Sequence, residues 1–365
     1  MAQPLTVGAE EEFLLVDPDS GAAVPAFEAV TAAAPSDGPA QRLKPEVSAA
    51  VVEAVTEPHR ELSLLADDVR SLRSAAAAAA EEAGCAVLAC GTELVSGPYM
   101  PPTGGSRYRA IHEKYGELVF GHIPCGLHVH VGMPDREHAV RVSNHLRVWL
   151  PTLQALAANS PISLGRETGY ASFRSTWWAY TPVAGPAPLF TDAAQYDALL
   201  DSLVASGVII DRKMAYWFAR PAEEVPTIEI RVMDVCPTSD TVILLAGLTR
   251  ALVATCLQAV ERDAQLPAVS EQLLAAAHWQ AARYGLEGDA LDMSSGRPLP
   301  AWTLVERLVK HVTPALSDAG DLALVNDLLV EMRQSGSWAG RQRKIIQEGG
   351  NLAEVSAYLR SHFLK

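Results

Sequence analysis

Three short segments carry charged or imidazole side chains at every second position of otherwise apolar runs, and this period restricts the fold more than any bulk property of the chain. Successive side chains of a strand point to opposite faces. In Thr227-Ile228-Glu229-Ile230-Arg231-Val232-Met233 the residues Ile228, Ile230 and Val232 therefore line one face, and Glu229 with Arg231 lines the other. In Gly126-Leu127-His128-Val129-His130-Val131 the same rule buries Leu127, Val129 and Val131 and presents His128 and His130 side by side. Near the N-terminus Glu10 and Glu12 share a face while Glu11 takes the opposite one.

Each alternation alone is what a half-solvated strand shows. Together they collect metal-competent groups on one surface, where like charges are unfavourable unless a cation neutralises them. Carboxylates with an imidazole among them suit magnesium or manganese, whereas zinc draws more nitrogen or sulfur. The chain has neither a helical i, i+4 histidine pair nor a G-x-x-x-x-G-K-[ST] loop, and Gly104-Gly105 is too short a glycine signal. A nucleotide would have to be held through metal and arginine on a sheet.

The formal charge of −14, from 43 acidic and 29 basic side chains, argues against a nucleic-acid or anionic-membrane partner and for a small-molecule substrate. An anionic substrate then needs cations or clustered arginines to reverse the field locally. The five cysteines, Cys85, Cys90, Cys125, Cys236 and Cys256, are odd in number and have no C-x-x-C spacing, the pattern of reduced, partly buried thiols. With no signal-peptide pattern and no unbroken run of eighteen apolar residues, the expected location is the cytoplasm.

Strands are expected at residues 5–16, 51–56, 85–90, 126–133 and 227–233. A helix is expected from His59 to Ala83, stopped by Gly84, and another, capped by Asp135, to about Ala158. Proline and glycine make loops of residues 96–106 and 181–189, and everything after about Thr241 reads as helical. The strands do not recur at βαβ spacing, so the fold class is α+β, an antiparallel or mixed sheet with packed helices. One domain over 1–365 is expected, sheet-rich to 240 and helical from 241.

Four motifs in order, Thr6-Val7-Gly8-Ala9-Glu10-Glu11-Glu12-Phe13, Gly126-Leu127-His128-Val129-His130-Val131-Gly132, Gly169-Tyr170-Ala171-Ser172-Phe173-Arg174-Ser175 and Thr227-Ile228-Glu229-Ile230-Arg231-Val232-Met233-Asp234, resemble the bacterial carboxylate-amine ligases of the glutamate-cysteine ligase family. The resemblance spans about Leu5 to Arg343 and implies a curved, mainly antiparallel sheet of about six strands, like the catalytic fold of glutamine synthetase, with ATP, Mg2+ or Mn2+ and substrate on its concave face. By resemblance Glu10, Glu12, Glu46, Glu53, His128 and Glu229 hold metal, and Arg231 and Arg174 face the γ-phosphate or the substrate carboxylate. His130, Arg166, Trp177 and Arg220 are further candidates for substrate or nucleotide, while Arg341 and Arg343 read as peripheral. Glu46 and Glu53 lie seven apart, so a loop or bulge must intervene if both are to face one site.

The implied reaction activates a carboxylate, L-glutamate by resemblance, as an acyl phosphate that an amine, cysteine by default, then attacks. The same residues fit a phosphotransferase that stops at the phosphorylated product. A scaffold without activity would be expected to lack some of the six acids and imidazole, and none is missing. A homodimer is implied by similarity alone, and the two proline- and glycine-rich loops are candidate lids.

Overall fold

A computed structural model describes residues 3–97 and 100–365. Its strands are β1 (Val7–Val16), β2 (Leu43–Pro45), β3 (Val51–Val55), β4 (Ala86–Leu88), β5 (Gly126–Gly132), β6 (Ile162–Ser163), β7 (Arg166–Glu167), β8 (Ala219–Pro221), β9 (Thr227–Asp234), β10 (Asp289–Asp292) and β11 (Arg297–Pro300). Seven of them build one sheet in the order β2-β3-β1-β5-β9-β8, with β4 also on β1, and each of these pairings is antiparallel. The α+β expectation holds.

The helices are α1 (Phe27–Ala33), α2 (Leu62–Glu82), α3 (Ser106–Tyr115), α4 (Glu117–Phe120), α5 (Arg136–Leu146), α6 (Leu150–Leu156), α7 (Phe173–Trp178), α8 (Ala193–Ala205), α9 (Ser239–Glu261), α10 (Glu271–Tyr284), α11 (Ala301–Ala319), α12 (Leu322–Ser335), α13 (Trp338–Gln347) and α14 (Leu352–His362). Asp135 caps α5 by accepting from the His138 amide at 2.8 Å, and Gly84, at φ +75°, follows α2 where the periodicity predicts its end. The helix expected to run from Asp135 to Ala158 instead breaks after Leu146 and restarts as α6, because Pro151 lacks the amide that a continuous helix would use. The C-terminal third is not wholly helical either. The β10–β11 hairpin occupies the proline-containing break at residues 294–300.

The apolar positions of β1, β5 and β9, among them Val7, Leu127, Val129, Ile228 and Ile230, are buried against α9. That helix is apolar on nearly all sides and long enough to cross a membrane, but 78% of its apolar window is buried in the protein, as befits a core helix. A second cluster gathers Phe13 to Val16, Val51 and Val52 against Leu72 and Ala76 of α2 and Val355 and Leu359 of α14.

Glu11, on the core side of β1, enters this second region as a charge. Arg73 of α2 donates to its carboxylate through Nη2 and through Nε at 3.1 Å. The same guanidinium donates to the carbonyls of Cys236 at 2.7 Å, Pro237 at 3.0 Å and Phe363 at 3.0 Å, between the rings of Phe13 and Phe363. The Arg73 and Glu11 side chains are 0% and 3% exposed, so the two charges compensate each other while backbone carbonyls take the remaining Arg73 donors. Arg73→Met is therefore expected to cost about 3–5 kcal/mol, since it strands a buried carboxylate. The Glu11→Gln/Arg73→Met pair should cost less than the sum of the single changes. Urea unfolding followed by circular dichroism measures both, and a loss under about 1 kcal/mol for Arg73→Met would contradict this account.

Candidate active site

The register of β1 between β3 and β5 assembles the acidic face. Glu10 is opposite His128, and Glu12 is opposite Glu53. His128 Nδ1 lies 3.2 Å from Glu10 Oε2 and 3.8 Å from Glu229 Oε1, and its Nε2 lies 3.6 Å from Glu12 Oε1. His130 Nε2 approaches Glu10 at 3.3 Å, while its Nδ1 meets Thr227 Oγ1 at 2.9 Å. Glu46 follows directly on β2, and the turn into β3 supplies the intervening loop that its odd spacing from Glu53 required.

Between β5 and β9 the register shifts, so that Arg231 and Val232 together oppose His128. Such a bulge reverses the alternation beyond it. Met233 consequently joins the core beside Leu127, and Asp234 comes opposite Gly126, on the chemical face. There Asp234 accepts from Asn159 N at 2.9 Å, Ser160 Oγ at 2.7 Å and Ser172 Oγ at 2.8 Å, and sits 3.7 Å from Arg174 Nη1. Arg174, near the start of α7, is held over Gly126, where a Cβ would collide with its guanidinium. Asp234 is thus a positioning residue that strict two-residue alternation assigns to the wrong face.

Arg220 donates through Nε to Glu229 at 2.8 Å and through Nη1 to Ala215 O at 2.8 Å, and Arg231 Nη1 also pairs with Glu229. Burial opposes ionisation of Glu229, but these two guanidinium groups outweigh it and hold the carboxyl well below its ordinary range. The other end of the face is different. Burial, reinforced by Glu10 and Glu46, pushes Glu53 well up, and burial with Glu12 beside it pushes Glu46 up to about 7. Burial also brings His128 down to about 4, leaving a neutral imidazole.

Two groups of ligand atoms, Glu10 with His128 and Glu229, and Glu12 with Glu53 and His128, each lie within 4.8 Å of one another. The donors are mainly oxygen, the Nε2 atom of His128 is buried without a hydrogen-bond partner among the described residues, and the carboxylates outnumber nearby cations at the Glu53 end. These features fit a hard divalent cation such as Mg2+ or Mn2+.

A cavity of about 170 Å³ opens beside the cluster, lined by Glu12, Glu46, His128, Arg174, Arg220 and Arg231 and walled by Tyr108, Ile111, Trp178 and Tyr216. A larger one, about 540 Å³, lies among α9, α12, α13 and α14 and shares no lining residue with it. We place the site in the smaller cavity because the ligand clusters are there. Arg166 does not join it. It lies in a hairpin strand whose two residues are both exposed, and its neighbour Glu167 pairs with the peripheral Arg343. Trp177 packs its ring on His122 at 4.1 Å and leaves the wall to Trp178, as one step along a helix turns a side chain by about 100°.

Among the described residues, neither expected lid lines the cavity. Pro98 and Tyr99 of the first lie outside the described residues, and the rest pairs with the β2–β3 turn through Ala49 N to Pro101 O and Thr103 N to Val47 O. The second packs Ala187 into an apolar cluster with Trp217 and sets Val183 behind the Ile111 and Val119 wall. The wall comes instead from α3, whose Tyr108 hydroxyl donates to Pro45 O at 3.0 Å. Sequence reading did not single out Tyr108, Tyr216 or Lys213, which belong to no alternating pattern. The five cysteines are free and buried, and burial pushes the Cys90 thiol up to about 12, which leaves no nucleophilic thiolate.

The profile of glutamate-cysteine ligase family 2 (GCS2) matches residues 6–355. A protein of Salinispora arenicola named "Putative glutamate--cysteine ligase 2" is 45% identical over 342 residues, covering 94% of this chain and 90% of its own. Among solved structures, a glutamate-cysteine ligase of Francisella tularensis in complex with AMP superposes with a TM-score of 0.72 at 12% identity, covering 100% of this chain and 90% of its own. A bifunctional glutathione synthetase of Pasteurella multocida gives 0.73 at 15%, with 99% and 52% covered. At such identities the structures show a shared fold.

The excess of buried carboxylates at the Glu53 end generates a test that needs no turnover. Glu53→Gln removes a carboxyl whose ionisation burial and its neighbours oppose, a cost the folded state bears at neutral pH, so the metal-free protein should melt higher than wild type. Its stabilisation by Mn2+ should require about ten-fold more metal or beyond. Thermal melts across a Mn2+ titration decide, and an unchanged metal response would remove Glu53 from the ligand set.

Proposed function

The chain belongs to glutamate-cysteine ligase family 2, and from that premise we propose that it joins the side-chain carboxylate of L-glutamate to the amine of an amino acid, with ATP as the activating co-substrate and an acyl phosphate as the intermediate. Cysteine is the default acceptor and a γ-glutamyl dipeptide the product; these substrates place the reaction in the cytoplasm. The observation that carries the reading is the pair of three-ligand clusters sharing His128, bordered by Arg174, Arg220 and Arg231 in one cavity.

A carboxylate is a poor electrophile and repels triphosphate. Glu10, Glu12, Glu46, Glu53, His128 and Glu229 would hold Mg2+, which when bound would supply positive charge against the triphosphate and the carboxylate. Arg231 and Arg174 supply planar donors for charge developing on the transferred phosphoryl group or for the donor carboxylate. Arg220 holds one oxygen of Glu229 and Arg231 the other, which fixes the Arg231 guanidinium at the edge of the ligand cluster. The apolar wall of Ile111, Val119 and Ile123 keeps water from the acyl phosphate.

Phosphate release from MgATP across a matrix of carboxylate donors and amine acceptors tests the proposal. ADP, phosphate and amide should appear together and require divalent metal. A phosphorylated product that accumulates without amide would make the protein a phosphotransferase, and full activity of metal-free protein in excess chelator would refute the metal assignment. Within that assay Glu229→Gln should weaken apparent magnesium affinity and recover partly at high magnesium. Arg231→Lys keeps the charge but loses the fork, so it should lower kcat about ten-fold or more without such recovery.

A further inference from the structure

His122 has no part in the metal clusters, yet it lines the same cavity as Arg174 and His128. It sits in the connection between α4 and β5, and its ring is clamped by Trp177 at 4.1 Å and Phe173 at 5.4 Å. One edge of the ring is engaged. Nδ1 lies 2.9 Å from Ser163 Oγ and 3.3 Å from Glu93 Oε1, while the second oxygen of Glu93 accepts from Ile123 N at 2.9 Å. Glu93 is buried, with a side chain 6% exposed.

A carboxylate only accepts hydrogen bonds, so Glu93 favours the tautomer with its proton on Nδ1. The other edge, Nε2, then carries a lone pair, since the ring's polar contacts among the described residues, Ser163 and Glu93, are both on Nδ1. A carboxylate fixing one nitrogen of an imidazole that lines a cavity is the arrangement of a general base.

The reaction proposed above needs such a group, because amines are ammonium ions at neutral pH and only the neutral form attacks. Resting on that ligase reading, the geometry points to His122 as the base that deprotonates the acceptor amine, with Glu93 as its positioning residue. One ammonium proton passes to Nε2. The nitrogen lone pair forms the C–N bond to the acyl carbon, and the C–O bond to phosphate breaks with its electron pair leaving on the phosphate oxygen. The second proton lost from nitrogen goes to phosphate or solvent, and His122 returns its own to solvent before the next turnover.

Hydroxylamine separates this role from scaffolding, since it is largely neutral at pH 7 and attacks an acyl phosphate without prior deprotonation. His122→Asn should slow amide formation with the amino-acid acceptor that wild type uses fastest by about 100-fold or more. Hydroxamate formation with hydroxylamine should stay within about three-fold, which also shows the variant to be folded. Glu93→Gln should show the same split with a smaller loss. Equal losses with both nucleophiles, or an amide rate unchanged in His122→Asn, would overturn the assignment and leave the ligase reading standing. Wild-type protein that forms neither amide nor hydroxamate would count against the ligase reading itself.

Discussion

β1 bears carboxylates on both of its faces, and the two are neutralised in different ways. On the core side Glu11 is matched by Arg73, and the shared guanidinium ties β1 to the end of β9 and to the C-terminal Phe363 through backbone carbonyls. On the cavity side Glu10 and Glu12 meet His128, Glu53 and Glu229. One face is closed by the protein; on the other, Arg220 and Arg231 balance Glu229, and the remaining carboxylates form the proposed site for a cation.

That face is electrostatically uneven. At the β8–β9 edge Arg220 and Arg231 hold Glu229 ionised, whereas at the β2–β3 edge burial and mutual repulsion raise Glu46 and Glu53. The two ends therefore suit different partners: hard cations at the acidic edge, anionic groups at the arginine edge. His128 stands between them, driven neutral by burial and by Arg231 and so free to offer a lone pair. A triphosphate bound across such a gradient has one favoured direction.

Much of this was legible in the chain. The alternation in three segments identified the central strands, their apolar faces and six of the residues that line or border the cavity, and the odd spacing of Glu46 and Glu53 announced the turn found between β2 and β3. Nearness to a motif along the sequence is a weaker guide: a surface hairpin carries Arg166 away from the cavity, and a single helical step turns Trp177 onto His122.

Local pattern determines which side of a strand a residue occupies, because the pleat has a period of two and needs only neighbouring residues to express it. It also determined the fold class and the character of the acidic face. Register, by contrast, depends on partners distant in the chain. The bulge that turns Asp234 toward Arg174, the buried match of Glu11 with Arg73, and the meeting of Glu93, His122 and Ser163 join residues 29 to 62 positions apart or more. Such pairings arise only when the sheet and helices pack, so no local period could reveal them.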